Sequence, residues 1–227
     1  MSAFDLDQVQ VVLDDVRVLD DVSCGLDAQR IAVVGENGSG KSTFARLVGG
    51  LIPPFGGRIR VLGLDPVKQA KELRRRIAFV FSNPDAQIIM PTVAEDVAFS
   101  LRSQRLSTEE STRRVREALE HFGLADLADR PAHSLSGGQK QLLALCGAFV
   151  RRPELVIADE PTAYLDARHS RRVADHLFAD LGHRLLLVTH DLDLARRCDV
   201  ALHFADGGLV SVGPAATVVP EYEASLV

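Results

Sequence analysis

Residues 31–43 read Ile31-Ala32-Val33-Val34-Gly35-Glu36-Asn37-Gly38-Ser39-Gly40-Lys41-Ser42-Thr43, an apolar run stopped by glycine and followed by a glycine-rich stretch. Uninterrupted apolar residues of this length predict a buried strand, and a helix is expected from Ser42 to Leu51, ended by Pro53-Pro54. Between them, Gly35 to Ser42 fits the pattern GxxxxGKS/T in the setting that pattern requires, after a strand and before a helix. The glycines let the backbone bend so that successive N–H groups point inward at phosphate, and the helix N-terminus adds a favourable dipole. On this reading Gly35, Glu36, Asn37, Gly38, Ser39, Gly40 and Thr43 belong to a phosphate cradle. Lys41 neutralises β- and γ-phosphates and Ser42 ligates Mg2+. The competing reading is a glycine-rich turn before an ordinary helix.

Around this stretch, Phe4 to Leu26 holds short β-like runs separated by acidic turns, and Arg58 to Leu62 reads as a strand after Gly56-Gly57. Lys71 to Arg76 leads into an apolar strand, Ile77 to Phe81, halted by Ser82-Asn83-Pro84. Residues 84–150 are mainly helical in pattern, with strong helix formers from Thr108 to Phe122 and again after Gln139. Beyond Pro153, strands at Leu155 to Ala158, Arg184 to Val188 and Val200 to Phe204 alternate with helices at Ala167 to Leu181 and Leu192 to Arg197. Such alternation implies an α/β fold with a parallel sheet wrapped by helices. One domain is expected over residues 1–227, with a core of 1–83 and 151–227 and a helical subdomain of 84–150.

Leu155-Val156-Ile157-Ala158-Asp159-Glu160 ends an apolar strand in two adjacent carboxylates, a costly arrangement unless a cation or a reacting water uses them. Asp159 would hold Mg2+ through its water shell, and Glu160 would accept a proton from water attacking a γ-phosphate. Alternatively the acids belong to the first turn of a helix begun by Pro161. Position adds weight to the first reading: Gly35, Ser82, Asp159 and His190 each follow directly on a predicted strand, so a parallel sheet would gather them at its carboxyl edge. There His190 could hydrogen-bond the γ-phosphate, or be a solvated histidine at a strand end. The other six histidines, scattered singly, are assigned to surface or core.

Twenty-six Lys+Arg against thirty-one Asp+Glu give a net charge of −5, and no basic run exceeds Arg74-Arg75-Arg76, which argues against a nucleic-acid partner. Cys24, Cys146 and Cys198 show no CxxC spacing and suit buried thiols in a reducing, cytoplasmic setting. Met1 to Val12 lacks the basic end and apolar stretch of a signal peptide. The longest apolar run, Leu142 to Val150, falls short of the about 20 residues that cross a bilayer, so a membrane role would act through partners.

Leu135-Ser136-Gly137-Gly138-Gln139, at the start of a predicted helix, resembles the signature sequence of ATP-binding cassette (ABC) ATPases. The resemblance runs from about Leu19 to Gly213 and takes in the phosphate loop, Asp159-Glu160, Ala163-Tyr164-Leu165-Asp166 and His190. It implies a P-loop NTPase core with a mainly parallel sheet, an N-terminal antiparallel β subdomain and an inserted helical subdomain. It also implies that Ser136, Gly137, Gly138 and Gln139 form a second anion cradle, closing on ATP held by a second cassette, identical or a close paralogue. The plainer reading is a helix cap with Ser136 as N-cap.

More narrowly, Asn83-Pro84-Asp85-Ala86-Gln87 and Pro91 to Phe99 are similar to the ATPases of energy-coupling factor importers of vitamins such as biotin, or of cobalt and nickel. That similarity implies a transmembrane coupling subunit, a substrate-binding membrane subunit and a peripheral place on the cytoplasmic face of the membrane. Asp85, Glu95 and Asp96 are expected either to meet basic residues of the coupling subunit or to form an acidic solvated face. The short stretch after Gly213 leans toward the biotin-type members.

Three positions depart from the family pattern. Ser82 stands where the family has a Gln that senses Mg2+ and the attacking water, so Ser82 is expected at the metal through a bridging water, or with help from Asn83 or Gln87, and turnover is expected to be slow. Val9 to Val18 lacks the aromatic residue on which adenine stacks, leaving Leu13 as the nearest candidate, and Tyr164 replaces a small residue. Two rival functions are a nucleic-acid-handling ATPase, disfavoured by charge and by the lack of long insertions, and a regulatory nucleotide-binding module without catalysis, disfavoured by Glu160 and His190.

Overall fold

The computed structural model describes residues 3–179 and 182–226. In chain order it places β1 at Phe4–Leu13, β2 at Val16–Leu26, β3 at Arg30–Gly35, α1 at Lys41–Val48, β4 at Gly56–Val61, α2 at Ala70–Arg76 and β5 at Ile77–Val80. Three helices follow with 3-10 turns between them: α3 at Val93–Ser100, α4 at Thr108–His121 and α5 at Gly137–Phe149. The chain then returns to alternation with β6 at Leu155–Asp159, α6 at Ala167–Phe178, β7 at Arg184–Val188, α7 at Leu192–Ala195 and β8 at Val200–Ala205. It closes with β9 at Gly208–Pro214 and α8 at Ala215–Ala224.

The central sheet has the order β5-β6-β7-β3-β8-β9, parallel throughout except for the antiparallel β8–β9 pair. Its strands read as continuous apolar runs because both faces are covered, and successive residues feed opposite cores. Val156, Ala158, Leu185 and Leu187 pack on one side with Leu142, Leu145 and Val173. Leu155, Ile157, Leu186 and Val188 pack on the other with Phe44, Leu47 and the β1–β2–β4 sheet. Each fully buried Val, Leu, Ile or Phe among them contributes about 1.5–3 kcal/mol relative to exposure. The expected fold class is the one observed, including the N-terminal antiparallel sheet β2-β1-β4 and the helical stretch between β5 and β6.

Two local expectations are corrected. The acidic "turns" near the N-terminus are mostly irregularities inside two long strands: Gln8 and Asp21 take positive φ and the β1–β2 register shifts between Leu6 and Val9. Only Asp14-Asp15, at φ 49° and 61°, forms the hairpin turn, which needs that conformation at both central residues. The helix expected to reach Leu181 ends at Phe178, and residues 180 and 181 lie outside the described residues. Past the turn after β8, the chain forms an edge strand and a further helix, α8, which packs on β8 and β9 and buries Val218, Val219 and Tyr222.

Candidate active site

Because β5, β6, β7 and β3 are parallel neighbours, Ser82, Asp159, Glu160, His190 and the Gly35 loop all emerge at one edge of the sheet. At Gly35, φ is 145° and an added Cβ would overlap the Phe204 carbonyl oxygen and come 2.8 Å from Ser39 Oγ, so only glycine fits there. Glu36, Asn37 and Gly38 lie exposed on the loop, while Ser39 is 4% exposed and its Oγ has no hydrogen-bond partner among the described residues. Gly40 at φ 100° turns the chain into α1, where Thr43 lies half-buried in the first turn. The N–H groups of that turn have no intrahelical acceptors.

Lys41 folds back over the loop, its Nζ donating to the carbonyls of Gly35 and Glu36 at 2.7 Å each. Burial lowers its pKa, an effect opposed by the nearby Glu160 and Asp159. Ser42 Oγ donates to Asp159 Oδ1 at 2.9 Å. Burial raises the Asp159 pKa, and Ser42, Arg46 and Lys41 pull it back. A hydroxyl joined to a buried carboxylate beside bare N–H groups is a donor set that fits Mg2+ carried with a polyphosphate. Ser82, two residues past β5, makes no side-chain hydrogen bond to Ser42 or Asp159 among the described residues.

Glu160 is a non-glycine residue at φ 50°, a conformation costing about 1–3 kcal/mol that is held only by its surroundings. Its N–H donates to the Val188 carbonyl at 2.9 Å and its Oε2 lies 2.7 Å from His190 Nδ1. The imidazole is 71% exposed, and Nε2 makes no hydrogen bond among the described residues.

Ser136 caps α5 in a reciprocal box: its Oγ accepts from Gln139 N at 3.3 Å, and Gln139 Oε1 accepts from Ser136 N at 2.9 Å. The N–H groups of Gly137 and Gly138, in the first turn, remain available to an anion.

The residues offered as substitutes near Ser82 are committed elsewhere. Asn83 accepts from Asp85 N at 3.0 Å, while Gln87 Oε1 accepts from Phe81 N at 3.3 Å and its Nε2 donates to the Ala144 carbonyl at 3.4 Å. Gln141, 1% exposed and not anticipated from the sequence, donates to the Phe81 carbonyl at 3.1 Å. Together these amides tie the end of β5 to α5. Its place two residues after Gln139 was the only sequence signal for Gln141.

The three acids expected to meet a partner also act internally. Asp85 pairs with Lys140 at 2.7 Å, Glu95 completes a capping box with Thr92, and the buried Asp96 accepts the Ile89 and Met90 N–H groups. The groove beside them, of about 740 Å³, is instead edged by Lys71, Arg74, Arg75 and Arg102 over Phe79 and Phe99. At the β1–β2 hairpin, Leu13 and Val16 are exposed apolar residues on either side of the turn. Among the remaining histidines, the His121 and His176 rings lie 5.1 Å apart.

Fold and phosphate loop together define the class, an ATP-binding cassette. The family model described as ABC transporter matches residues 19–163, and the chain belongs to that family as an ABC transporter ATPase. It is 46% identical over 209 residues to a Deinococcus radiodurans protein assigned to ABC transporter ATP-binding proteins, covering 92% of each. With the biotin transport ATP-binding protein BioM of Rhizobium etli it shares 40% identity over 204 residues and 90% of each chain. The structure of cbiO1 from Clostridium perfringens, part of the ABC transporter complex cbiONQ, superposes with a TM-score of 0.86 at 30% identity, covering 98% of this chain and 92% of that one.

Proposed function

We propose that this ATPase powers an energy-coupling factor importer for a vitamin of the biotin kind or a transition-metal ion, from the cytoplasmic face of the membrane. The observation that carries the proposal is the segment from Asn83 to Phe99. It resembles the energy-coupling factor ATPases, and its Gln87, Ile89, Asp96 and Phe99 line a basic-edged apolar groove alongside β5 and α5. Among the described residues no helix is long and apolar enough to cross a membrane, so coupling needs a transmembrane partner. Lys71, Arg74 and Arg75 make no ion pair with a carboxylate among the described residues, and the groove suits an apolar segment that brings carboxylates or free helix carbonyls.

In the proposed cycle the loop N–H groups and Lys41 hold the β- and γ-phosphates, and Lys41 Nζ leaves the Gly35 and Glu36 carbonyls for phosphate oxygens. Ser42 and Asp159 would hold Mg2+, which neutralises charge developing on the phosphates. Glu160 takes a proton from the attacking water, and His190, hydrogen-bonded to the Glu160 carboxylate, presents its second nitrogen toward the γ-phosphate. The chain has one phosphate loop and one LSGGQ sequence, so Ser136, Gly137, Gly138 and Gln139 of a second cassette, identical or paralogous, complete the site. On this reading residues 84–150 form a helical subdomain that carries α5, beside a nucleotide-binding core of 1–83 and 151–227.

Affinity purification of the tagged chain from detergent-solubilised native membranes tests this reading. Recovery of a small substrate-binding membrane protein with a second membrane subunit is the expected result. Recovery of soluble or DNA-bound partners alone would refute it.

A further inference from the structure

His169, in the first turn of α6, joins two parts of the site that the sequence leaves unconnected. Asp166 caps α6, its Oδ1 accepting the N–H groups of Arg168 and His169 at 2.9 Å each. Its Oδ2 lies 2.8 Å from His169 Nδ1, which fixes the plane of the imidazole. The other edge of that ring lies on Gly138, the second glycine of LSGGQ. A Cβ at position 138 would come 2.7 Å from His169 Nε2 and closer still to Cδ2 and Cγ. Gly138 is buried, and His169 is 24% exposed at its side chain. Glycine is therefore required at 138 by the imidazole that occupies the space of its side chain, in addition to any closeness demanded by a phosphate.

We propose that His169 is a positioning residue that locks the loop ending in Asp166 to the first turn of the LSGGQ helix, so that the N–H groups of Gly137 and Gly138 are held ready for nucleotide. The inference rests on the proposed pairing of cassettes, in which those N–H groups meet ATP bound to the other copy. Asp166 orients the ring, the ring limits the tilt of α5 at its N-terminus, and a shift in either element is passed to the other as a steric displacement. The contact carries no covalent step, and its effect belongs to closure of the pair rather than to ATP binding at the phosphate loop.

The test measures the ATP concentration giving half-maximal dimer by sedimentation, in a Glu160→Gln background that does not turn over. Fluorescent-nucleotide binding to the monomer is read in parallel to report the phosphate loop. Gly138→Ala should raise the half-maximal concentration about tenfold, and adding His169→Ala should recover most of that loss, because contacting residues couple. His169→Ala alone should raise it about threefold. His169→Asn, which keeps a donor for Asp166, should fall between His169→Ala and the parent, with monomer binding unchanged throughout. Additive losses in the double variant would overturn the role of His169 and leave the pairing intact. A parent that stays monomeric at saturating ATP would overturn both. Should Gly138→Ala fail to fold, equal half-maximal concentrations for His169→Ala and the parent would overturn the inference.

Discussion

His190 Nδ1 lies 2.7 Å from Glu160 Oε2, and the two residues emerge from the adjacent parallel strands β7 and β6, whose register pairs Val188 with Asp159. The sheet itself therefore sets the pair, and the left-handed turn at Glu160 aims the carboxylate across the gap. The contact occupies one Glu160 oxygen and leaves the other, with His190 Nε2, free of hydrogen bonds among the described residues.

Glu160→Gln should lower kcat for ATP hydrolysis by about 10²–10⁴-fold, the range for losing a general base, while ATP still binds. His190→Ala should lower kcat less, because the Glu160 carboxyl group itself remains in place. Steady-state kinetics with a parallel binding measurement checks both. A Glu160→Gln enzyme with near-normal kcat would assign the base elsewhere.

Ser82→Gln should speed turnover of the isolated chain, up to about tenfold, by restoring a side chain that reaches from β5 toward Ser42 and Asp159. The prediction is specific because Gln87 and Gln141 already clamp the Phe81 backbone and are not free to serve. Equal turnover of the two enzymes would show that the short side chain imposes no restraint.

His176 gives stability a pH dependence of predictable sign. Burial, aided by the nearby His121 and Arg172, lowers its pKa from 6.5 to about 4. The unfolded chain therefore binds this proton first, so the stability is complete above about pH 6.5 and is lost as pH falls toward about 4. The ring is only half-buried, so solvent screening discounts the full shift to about 1–2 kcal/mol. His176→Phe should keep the contact with Phe122, whose ring centroid is 4.2 Å away, and flatten the loss. Between pH 7.5 and 5 the wild-type Tm should fall about 2–6 °C further than that of the variant. Equal falls would refute the assignment.

What could be read along the chain was local. The ends of β3, β5, β6 and β7 are legible because each apolar run is stopped by a glycine or by polar residues, and the phosphate loop is contiguous. The long β1 and β2 were masked by acids such as Asp21 in their irregular positions. α8 was hidden by Pro214 before it and Pro220 within it, both of which read as breaks. Contacts between distant elements left no trace in the sequence: His169 against Gly138 depends on how α6 lies on α5, and Gln141 against Phe81 on how α5 meets β5. Asp85, Glu95 and Asp96 read as a docking or solvated acidic face because their acidity is visible along the chain and their internal partners are not.

In the proposed pairing each chain carries half of each of two sites, which ATP joins. Sedimentation of Glu160→Gln with saturating ATP and Mg2+, followed by counting of bound nucleotide, tests it most directly. The account predicts a stable dimer with one ATP per chain that dissociates when Ser136 is also replaced by a bulky residue. A monomer that binds one ATP tightly and stays monomeric at every concentration would contradict it.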